Sequence, residues 1–256
     1  MQHITSKDNP NIKLYRKLAS GKKHRRETGL FVLEGIRLIS DAVKENAKLH
    51  SVFITESCLE KMQGEALDFQ NTYIISEELA ESMADTGSTQ GVFAICEAHC
   101  KVPASDTIKS GGKYILLHSV QDPGNLGTII RTADAVGVDG VFLAECCDLY
   151  NPKVIRSTMG SIFRLNVSEV RFDEVFPLFK ERGVRTYAAV IDSDAVSLTD
   201  CDFSEGGAVL IGNEGNGLPR KVSDSCDVRL TIKMQGNVNS LNAAMAAGII
   251  MWELEK

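Results

Sequence analysis

The sequence predicts an α/β protein with a parallel sheet in its larger, C-terminal part and a smaller α/β unit in front of it. In the C-terminal part, continuous apolar segments alternate with helical ones, which is typical of strands buried on both faces. A shorter alternation of strands and helices fills roughly the first 100 residues. A segment rich in small and polar residues, KVPASDTIKSGGK, separates the two. We therefore predict one domain at 1–105 and a second at 106–256.

The first domain is predicted to begin with a helix. Asn9-Pro10 is typical of a helix start, because proline fits the first helical position, and we expect Gly21 to end this helix. A second helix should begin after Ser76, whose side chain can cap it, and run through Met83. The remaining segments read in order as the strand LFVLEG, the helix IRLISDAVKENA, and the strands HSVFIT, TYIIS and GVFAICEA.

The second domain follows a stricter alternation. Its predicted strands are YILLHSV, GVFLAE, VRTYAAVI and AVLIG. Its predicted helices are GTIIRTADAVG, which ends at Gly137, one that opens at Asn151-Pro152, and a final one from about Ser240 to Glu253. Fully apolar strands alternating with helices predict a parallel sheet covered on both faces.

Composition excludes several classes of protein. The chain of 256 residues is 43% hydrophobic and 24% charged, which is ordinary for a soluble globular protein. The first residues lack the apolar core of a secretion signal, and no apolar segment reaches the roughly 18 residues that span a bilayer. The seven cysteines, an odd number, favour reduced thiols and a cytoplasmic location. Cys96, His99 and Cys100 have a metal-like spacing, but no second pair completes a site, so no metal is predicted.

The charge distribution leaves two interpretations open. A net charge of −6 argues against nucleic-acid binding, yet basic residues crowd one N-terminal stretch. Such a cluster can dock a polyanion even on an acidic protein, or it can be a solvated helix face. Its members are Lys13, Arg16, Lys17, Lys22, Lys23, Arg25 and Arg26.

A glycine-rich loop, VLIGNEGNGLP, follows a predicted strand. Its glycine spacing does not match the dinucleotide fingerprint, and no Lys-Ser/Thr pair makes it a phosphate-binding loop. Glu214 would also repel a pyrophosphate. The loop therefore predicts a backbone that closely approaches a flat or neutral ligand.

Two further loops contain polar residues at strand ends. DPGNLGTIIRTADAVG carries Asn125, Gly127 and Arg131 as N-x-G-x-x-x-R, and IKMQGNVNSLN leads into a helix rich in alanine and glycine. Each loop also has a plain structural explanation, since a helical arginine commonly faces solvent and Ser240 could be a helix N-cap.

In this order the three loops resemble the three motifs of the SpoU/TrmH family of RNA ribose 2′-O-methyltransferases, within the SPOUT superfamily. The matching segments are Asn125 to Gly127 with Arg131, IGNEGNGL, and IKMQGNVNSLN, and the resemblance extends from about residue 112 to the end. The N-terminal part more loosely resembles the L30e-like substrate-binding domain of many members, through its basic start and FVLEGIRLISDA. One departure is Lys233, which replaces the family's proline and should make its loop less rigid.

The resemblance implies a fold and a cofactor. The C-terminal domain would contain a deep trefoil knot, and the protein would be a homodimer with its active site at or near the interface. S-adenosyl-L-methionine would be held mainly by backbone groups. The residues implied in that role are Ile211, Gly212, Gly215, Ile232, Met234, Gly236 and Leu241.

The resemblance also implies roles in catalysis. Because an arginine is normally protonated, Arg131 would pair with an RNA phosphate and stabilise the developing 2′-oxyanion, although a deprotonated Arg131 stays an alternative. Glu214 could accept the proton or orient Asn125 or Arg131. Asn125, Ser240 and Asn242 would orient the ribose and anchor the loops.

RNA is the expected partner, because DNA lacks the target hydroxyl, and neither DNA nor a membrane is expected to bind. The residues expected to contact RNA phosphates are Lys13, Arg16, Lys17, Arg25 and Arg26. Large-subunit (23S) ribosomal RNA is the first expectation and tRNA the second. A catalytically silent RNA-binding protein and a nucleotide-dependent oxidoreductase remain as rival interpretations.

Overall fold

The computed structural model describes residues 1–62, 71–85, 89–98 and 103–256. The chain forms two compact units, one of Met1–Cys100 and Tyr150–Phe163, the other of Lys101–Leu149 and Arg164–Lys256. This division differs from the predicted continuous domain at 106–256, because residues 150–163 belong to the first unit. The first two residues of the predicted linker, and His99 and Cys100 of the metal-like spacing, lie outside the described residues.

The first unit is built around a five-stranded sheet of order β1-β4-β3-β5-β2. Strands β1, β4 and β3 run parallel, whereas β5 is antiparallel to both β3 and β2. In chain order its first elements are β1 (Gln2–Ile4), α1 (Pro10–Ser20), α2 (Lys22–Thr28), β2 (Leu30–Glu34), α3 (Ile36–Lys44), β3 (Leu49–Thr55), α4 (Glu56–Lys61), β4 (Thr72–Ile75), α5 (Glu77–Met83) and β5 (Val92–Glu97).

Local signals in the sequence set the ends of α1. The side chain of Asn9 accepts a hydrogen bond from Asn11 N, Pro10 occupies the first turn, and Gly21 ends the helix as predicted. The helix packs Tyr15 edge-on against Phe53, with ring centroids 6.1 Å apart. The sequence did not predict α2, which begins directly after Gly21.

The second unit contains a seven-stranded sheet. Its elements, together with α8 of the first unit, are α6 (Ala104–Thr107), β6 (Lys113–His118), α7 (Pro123–Val136), β7 (Gly140–Ala144), α8 (Pro152–Thr158), β8 (Val167–Glu169), α9 (Phe172–Glu181), β9 (Thr186–Ala189), β10 (Val196–Ser197), β11 (Gly207–Ile211), α10 (Arg220–Ser223), β12 (Val228–Thr231) and α11 (Ala243–Leu254).

The order of this sheet is β10-β12-β9-β11-β6-β7-β8, and every recorded pairing is parallel. The predicted α/β class with a parallel sheet is thereby confirmed. A core cluster that includes Tyr114, Leu116 and Phe142 joins the sheet to α9. Because parallel strands end at the same edge, the loops after β6, β11 and β12 lie at one edge of the sheet.

In the described ranges no helix combines the length and the apolar character that crossing a membrane requires. The same residues contain no group of three or more histidine, cysteine, aspartate or glutamate side chains that could hold a metal ion.

Candidate functional site

The first loop leads directly into α7. Asp122 caps this helix, with its Oδ1 accepting a hydrogen bond from Asn125 N at 2.8 Å, and Pro123 occupies its first turn. Asn125 therefore lies inside the first turn, one turn earlier than the helix start predicted near Gly127. The dipeptide Asp122-Pro123 is the signal that sequence reasoning missed.

The second loop, after β11, is folded by its own side chains and by a required glycine. A Cβ atom at Gly212 would lie 2.2 Å from the carbonyl carbon of Gly217, so no larger residue fits there. Asn213 Oδ1 accepts hydrogen bonds from Gly215 N and Asn216 N, each 3.0 Å long. The carboxamide of Asn213 also donates to the backbone oxygen of Ser119, at 2.8 Å, which fixes this loop against the first.

Glu214 joins the second loop to the first. Its Oε1 accepts hydrogen bonds from Asp122 N and Asn125 Nδ2, both 3.1 Å long. Its Oε2 accepts from Gln121 N at 3.2 Å and from Asn213 Nδ2 at 3.4 Å. The carboxylate of Glu214 would repel a bound pyrophosphate, and in the structure it instead accepts hydrogen bonds from N–H groups at the N-terminus of α7.

These contacts determine the ionisation of Glu214. Partial burial by itself opposes the charged form. Hydrogen bonds from its own backbone, from Asn125, from Asp122 and from Gln121 outweigh that effect, and the pKa of Glu214 lies below its ordinary value. The side chain is therefore ionised at neutral pH and is a weak proton acceptor.

The third loop reaches the same cluster through Asn242. Its Nδ2 donates to Asn125 Oδ1 at 2.9 Å, and its Oδ1 caps α11 by accepting from Ala244 N at 2.9 Å. The expectation that α11 begins near Ser240, and that Ser240 could cap it, is wrong. The chain stays irregular to residue 242, because the carboxamide of Asn242 satisfies the first helical N–H groups.

A pocket of about 490 Å³ opens beside this cluster, entirely within the second unit. Six of the seven residues predicted to hold a cofactor line it, together with Glu214 and Ser240; the six are Ile211, Gly212, Gly215, Ile232, Met234 and Leu241. Gly236 is not part of the lining. Sequence reasoning missed the wall formed by residues 189–192 at the carboxyl end of β9, by Arg229 of β12 and by Arg220 of α10. The rule that ligands bind at the carboxyl ends of parallel strands could have indicated the segment after β9.

Comparison with known proteins decides the identity of this site. The SpoU rRNA methylase family matches residues 112–252, and an MRM3-like substrate-binding domain matches residues 9–94. The chain belongs to the SpoU rRNA methylase family. It is therefore an RNA 2′-O-methyltransferase that uses S-adenosylmethionine. The N-terminal unit corresponds to the predicted substrate-binding domain.

The matches extend over nearly the whole chain. The 23S rRNA (guanosine(2553)-2′-O)-methyltransferase RlmP of Bacillus subtilis is 31% identical over 255 residues, which are 99% of each chain. The 23S rRNA (uridine(2479)-2′-O)-methyltransferase of Streptomyces viridochromogenes is also 31% identical, over 98% of this chain and 91% of that protein. The crystal structure of an AdoMet-bound rRNA methyltransferase from Sinorhizobium meliloti superposes with a TM-score of 0.88 at 31% identity. That superposition covers 99% of this chain and 97% of the other.

The pocket of this SpoU methylase suits an adenosyl donor. Its apolar wall, formed by Ile232, Met234, Leu241 and Ala246, can contact a flat base. Its polar end, at Glu214, adjoins the hydrogen-bonded cluster.

Arg131 lies away from its own pocket. It is exposed on α7 and does not line the pocket. Within the described ranges its guanidinium has no hydrogen-bond or ion-pair partner. The exposed face of α7 that contains it also includes Thr128 and Ala135, at helical spacing.

The neighbouring helix α11 also exposes a face away from the sheet, and that face is apolar. Met245, Ile249 and Trp252 are 63%, 42% and 64% exposed, and their spacing places them on one side of the helix. Helices α7 and α11 pack against each other, and the hydrogen bond between Asn125 and Asn242 joins their first turns. A patch of large apolar side chains of this kind is typical of a protein interface.

The five basic residues predicted to contact RNA differ in their environments. Lys13, Lys17 and Arg26 are exposed, and Arg16 is half-buried with a hydrogen bond of 2.8 Å to Ser82 Oγ. Arg25, in contrast, is only 5% exposed, and its guanidinium donates to the carbonyl oxygens of Leu18 and Ala19. The expectation that Arg25 contacts RNA is therefore corrected, since its donors satisfy the C-terminal carbonyls of α1.

Proposed function

We propose that this protein methylates a ribose 2′-hydroxyl in large-subunit ribosomal RNA and that it does so as a homodimer. One observation carries the proposal: the three loops meet through the chain of hydrogen bonds from Glu214 to Asn125 to Asn242, beside a pocket of about 490 Å³. These three polar side chains come from three separate loops and meet beside the pocket, where their hydrogen bonds can position a ligand.

The choice of ribosomal RNA rests on full-length similarity. The Bacillus subtilis and Streptomyces viridochromogenes relatives are named as methyltransferases of 23S rRNA, and each aligns with nearly all of this chain. The alignments include the N-terminal unit, which would select the substrate. No feature of the described residues favours tRNA over ribosomal RNA.

The homodimer would form through the exposed faces of α7 and α11. Burial of Met245, Ile249 and Trp252 in a twofold interface would remove three large apolar side chains from water. Such an interface would also cover the face of α7 that contains Arg131.

Arg131 would then serve the pocket of the partner subunit. In its own subunit it lies on an exposed helix face, outside the pocket lining. Across the interface its guanidinium would approach the RNA phosphate and the reacting oxygen, where a permanent positive charge stabilises developing negative charge.

The chain's own groups would position the reactants for this transfer. Bound S-adenosylmethionine supplies an electrophilic methyl group on a good leaving group. Asn125 and Asn242, fixed by their mutual hydrogen bond, would orient the ribose, and Ser240 would face it from the pocket wall. Glu214 would hold Asn125 rather than take the proton, because its oxygens already accept four hydrogen bonds and its pKa is lowered.

The exposed and half-buried basic residues of α1 and α2, other than Arg25, would contact RNA phosphates outside the pocket. Lys13, Arg16 and Lys17 share one face of α1 by their spacing, and Arg26 is exposed on α2. RNA rather than DNA would bind productively, since only RNA carries the 2′-hydroxyl. Two further expectations belong to this proposal: a trefoil knot in the second unit, and action in the cytoplasm.

Transfer of a tritiated methyl group tests the proposal. Purified protein should label ribosomal RNA from a strain that lacks the corresponding gene, but not RNA from the parent strain, whose site is already methylated. Mapping of 2′-O-methyl groups should then find one nucleotide of the large-subunit RNA that is modified only when the gene is present. Labelling of tRNA alone, or of no RNA, would contradict the assignment.

A further inference from the structure

The pocket has a charged wall that the catalytic mechanism does not use. Asp192 and Arg229 both line it, and Arg229 Nη2 donates to Asp192 Oδ2 in an ion pair. Asp192 Oδ1 accepts from Asp194 N at 3.1 Å, which holds the carboxylate in place. An ion pair in a pocket wall presents both a strong donor and a strong acceptor to any ligand.

One atom of this pair lacks a partner. In the part of the chain that the structure describes, Arg229 Nε is one of three buried side-chain nitrogen or oxygen atoms without a hydrogen bond. A buried N–H group without an acceptor is costly, and native proteins nearly always satisfy one. Arg229 therefore has a donor still to be used, and it is a residue of the pocket wall.

The sheet order places this pair far from the site of methyl transfer. Strand β12, which carries Arg229, lies three strands from β6, after which Asn125 follows, and β9, which precedes Asp192, lies two strands from β6. Neighbouring strands are about 4.8 Å apart, so Asp192 lies roughly 10 Å and Arg229 roughly 14 Å from β6 across the sheet. Val190 N donates to Leu230 O, so the segment before Asp192 continues beside β12.

This distance indicates which half of the methyl donor lies beside the Asp192–Arg229 pair. The reacting methyl group must lie at the Asn125 end, and the two arms of the donor extend from its sulfur. The methionyl arm is a short aliphatic chain, whereas the adenosyl arm carries a sugar and a fused ring and is the longer. Only the longer arm suits the distant end of the pocket.

We propose that the Asp192–Arg229 pair binds the nucleoside half of S-adenosylmethionine, an inference that rests on the proposed function of this pocket. Arg229 Nε donates to an acceptor of the nucleoside, and Asp192 accepts a hydrogen bond from a ribose hydroxyl. Among the residues that the structure describes, each side-chain oxygen of Asp192 has one hydrogen-bond partner and retains a second lone pair for this purpose. A carboxylate that follows a parallel strand binds ribose in the same way in dinucleotide-binding folds.

Calorimetric titration of the full-length protein tests this proposal with two ligands. S-adenosylhomocysteine contains both arms, whereas 5′-methylthioadenosine contains the nucleoside and lacks the amino-acid end. Arg229→Lys keeps the charge and can still pair with Asp192, but it removes the Nε donor. We expect this variant to bind both ligands about tenfold more weakly, by the same factor for each.

Two further variants serve as a second test and as a control. Asp192→Asn keeps the shape of the side chain but removes its charge, and it should also weaken both ligands equally; it provides the same test if Arg229→Lys folds poorly. Arg171→Ala is the matched control, because it breaks an Arg–Asp pair of the same unit that does not line the pocket. Its affinity for both ligands should equal that of the parent protein.

The outcomes separate the possible errors. A loss for S-adenosylhomocysteine with unchanged methylthioadenosine binding would assign the pair to the amino-acid end and overturn the proposal. Unchanged binding of both ligands would reduce the pair to a structural link between β9 and β12. If the parent protein binds neither ligand, the assignment of the pocket to S-adenosylmethionine is contradicted. That result can be distinguished from the two above, in which the parent protein binds both ligands.

Discussion

The hydrogen-bonded loop cluster and the exposed face of α7 and α11 belong to the same unit. They differ in how many of their side chains have partners within the chain. In the cluster, Glu214, Asn125 and Asn242 already have their partners within one chain. On the helix face, Arg131 has no ion-pair or hydrogen-bond partner among the described residues, and Trp252 is 64% exposed. The cluster is held together within one chain, whereas the helix face presents an arginine and a large apolar side chain to solvent. This difference supports the proposal that one subunit provides the pocket and another provides the charge that completes it.

Arg131→Ala should produce the largest effect. Loss of a charge that acts in the transition state should lower kcat by about 10²–10³-fold or more. The affinity for S-adenosylhomocysteine should not change, since Arg131 does not line the pocket. Single-turnover methyl transfer and calorimetry measure the two quantities, and a variant that transfers methyl groups at the parent rate would remove Arg131 from the mechanism.

Trp252→Glu should separate the subunits, because a carboxylate would have to be buried in the proposed interface. Sedimentation should then find a monomer with little activity and an intact cofactor pocket. Val196→Glu is the matched control, since Val196 is an apolar residue of the same unit, 43% exposed, that lies outside the helix face. A dimer that survives Trp252→Glu would place the interface elsewhere.

Glu214→Gln should have a smaller effect with a defined pH dependence. The lowered pKa means that Glu214 stabilises the folded state fully above the ordinary carboxyl value of 4.5, and that this contribution is lost as the pH falls through the folded pKa. The parent protein should unfold at a higher temperature than Glu214→Gln near neutral pH. Below pH 4.5 the difference should shrink, and a difference that grows toward acid pH would contradict the hydrogen-bond assignment.

Substitution of the neighbouring residues Arg25 and Arg26 should give the smallest effects. One substitution should change stability and the other RNA binding. Arg25→Met removes buried donors from α1 carbonyls, so it should lower the free energy of unfolding by about 1–3 kcal/mol in urea titrations. Arg26→Met should leave stability within about 0.5 kcal/mol but reduce the salt dependence of RNA binding by about one unit of slope. An unchanged slope for Arg26→Met would remove that residue from the RNA surface.

The sequence was informative where a local signal decides the structure. Continuous apolar strands predicted the parallel sheet, Asn9-Pro10 predicted the start of α1, and Gly21 predicted its end. The spacing of glycines around Gly212 predicted a close backbone approach, and the distance from Gly212 to Gly217 explains it. These features depend on a few adjacent residues.

Other features depend on contacts that sequence spacing does not contain. The burial of Arg25 depends on the angle between α1 and α2, and a basic cluster looks the same whether its members face solvent or carbonyl oxygens. The assignment of residues 150–163 to the first unit likewise depends on tertiary contacts, such as the ion pair of 2.8 Å between Arg156 and Asp85. The sequence offered Asn125 as a partner of Glu214, and the structure contains that hydrogen bond. The contacts of Glu214 with Gln121 N and Asp122 N needed the position of the α7 N-terminus, which the sequence placed one turn too late.

The most direct test of the central claim is complementation between two inactive subunits. Asn125→Ala and Arg131→Ala chains, carrying different affinity tags, are co-expressed and the mixed dimer is purified. If Arg131 serves the partner's pocket, one of the two sites in the mixed dimer keeps both residues, and about half of the parent activity should return. If Arg131 acted within its own subunit, both sites would be defective and the mixed dimer would be as inactive as either parent variant.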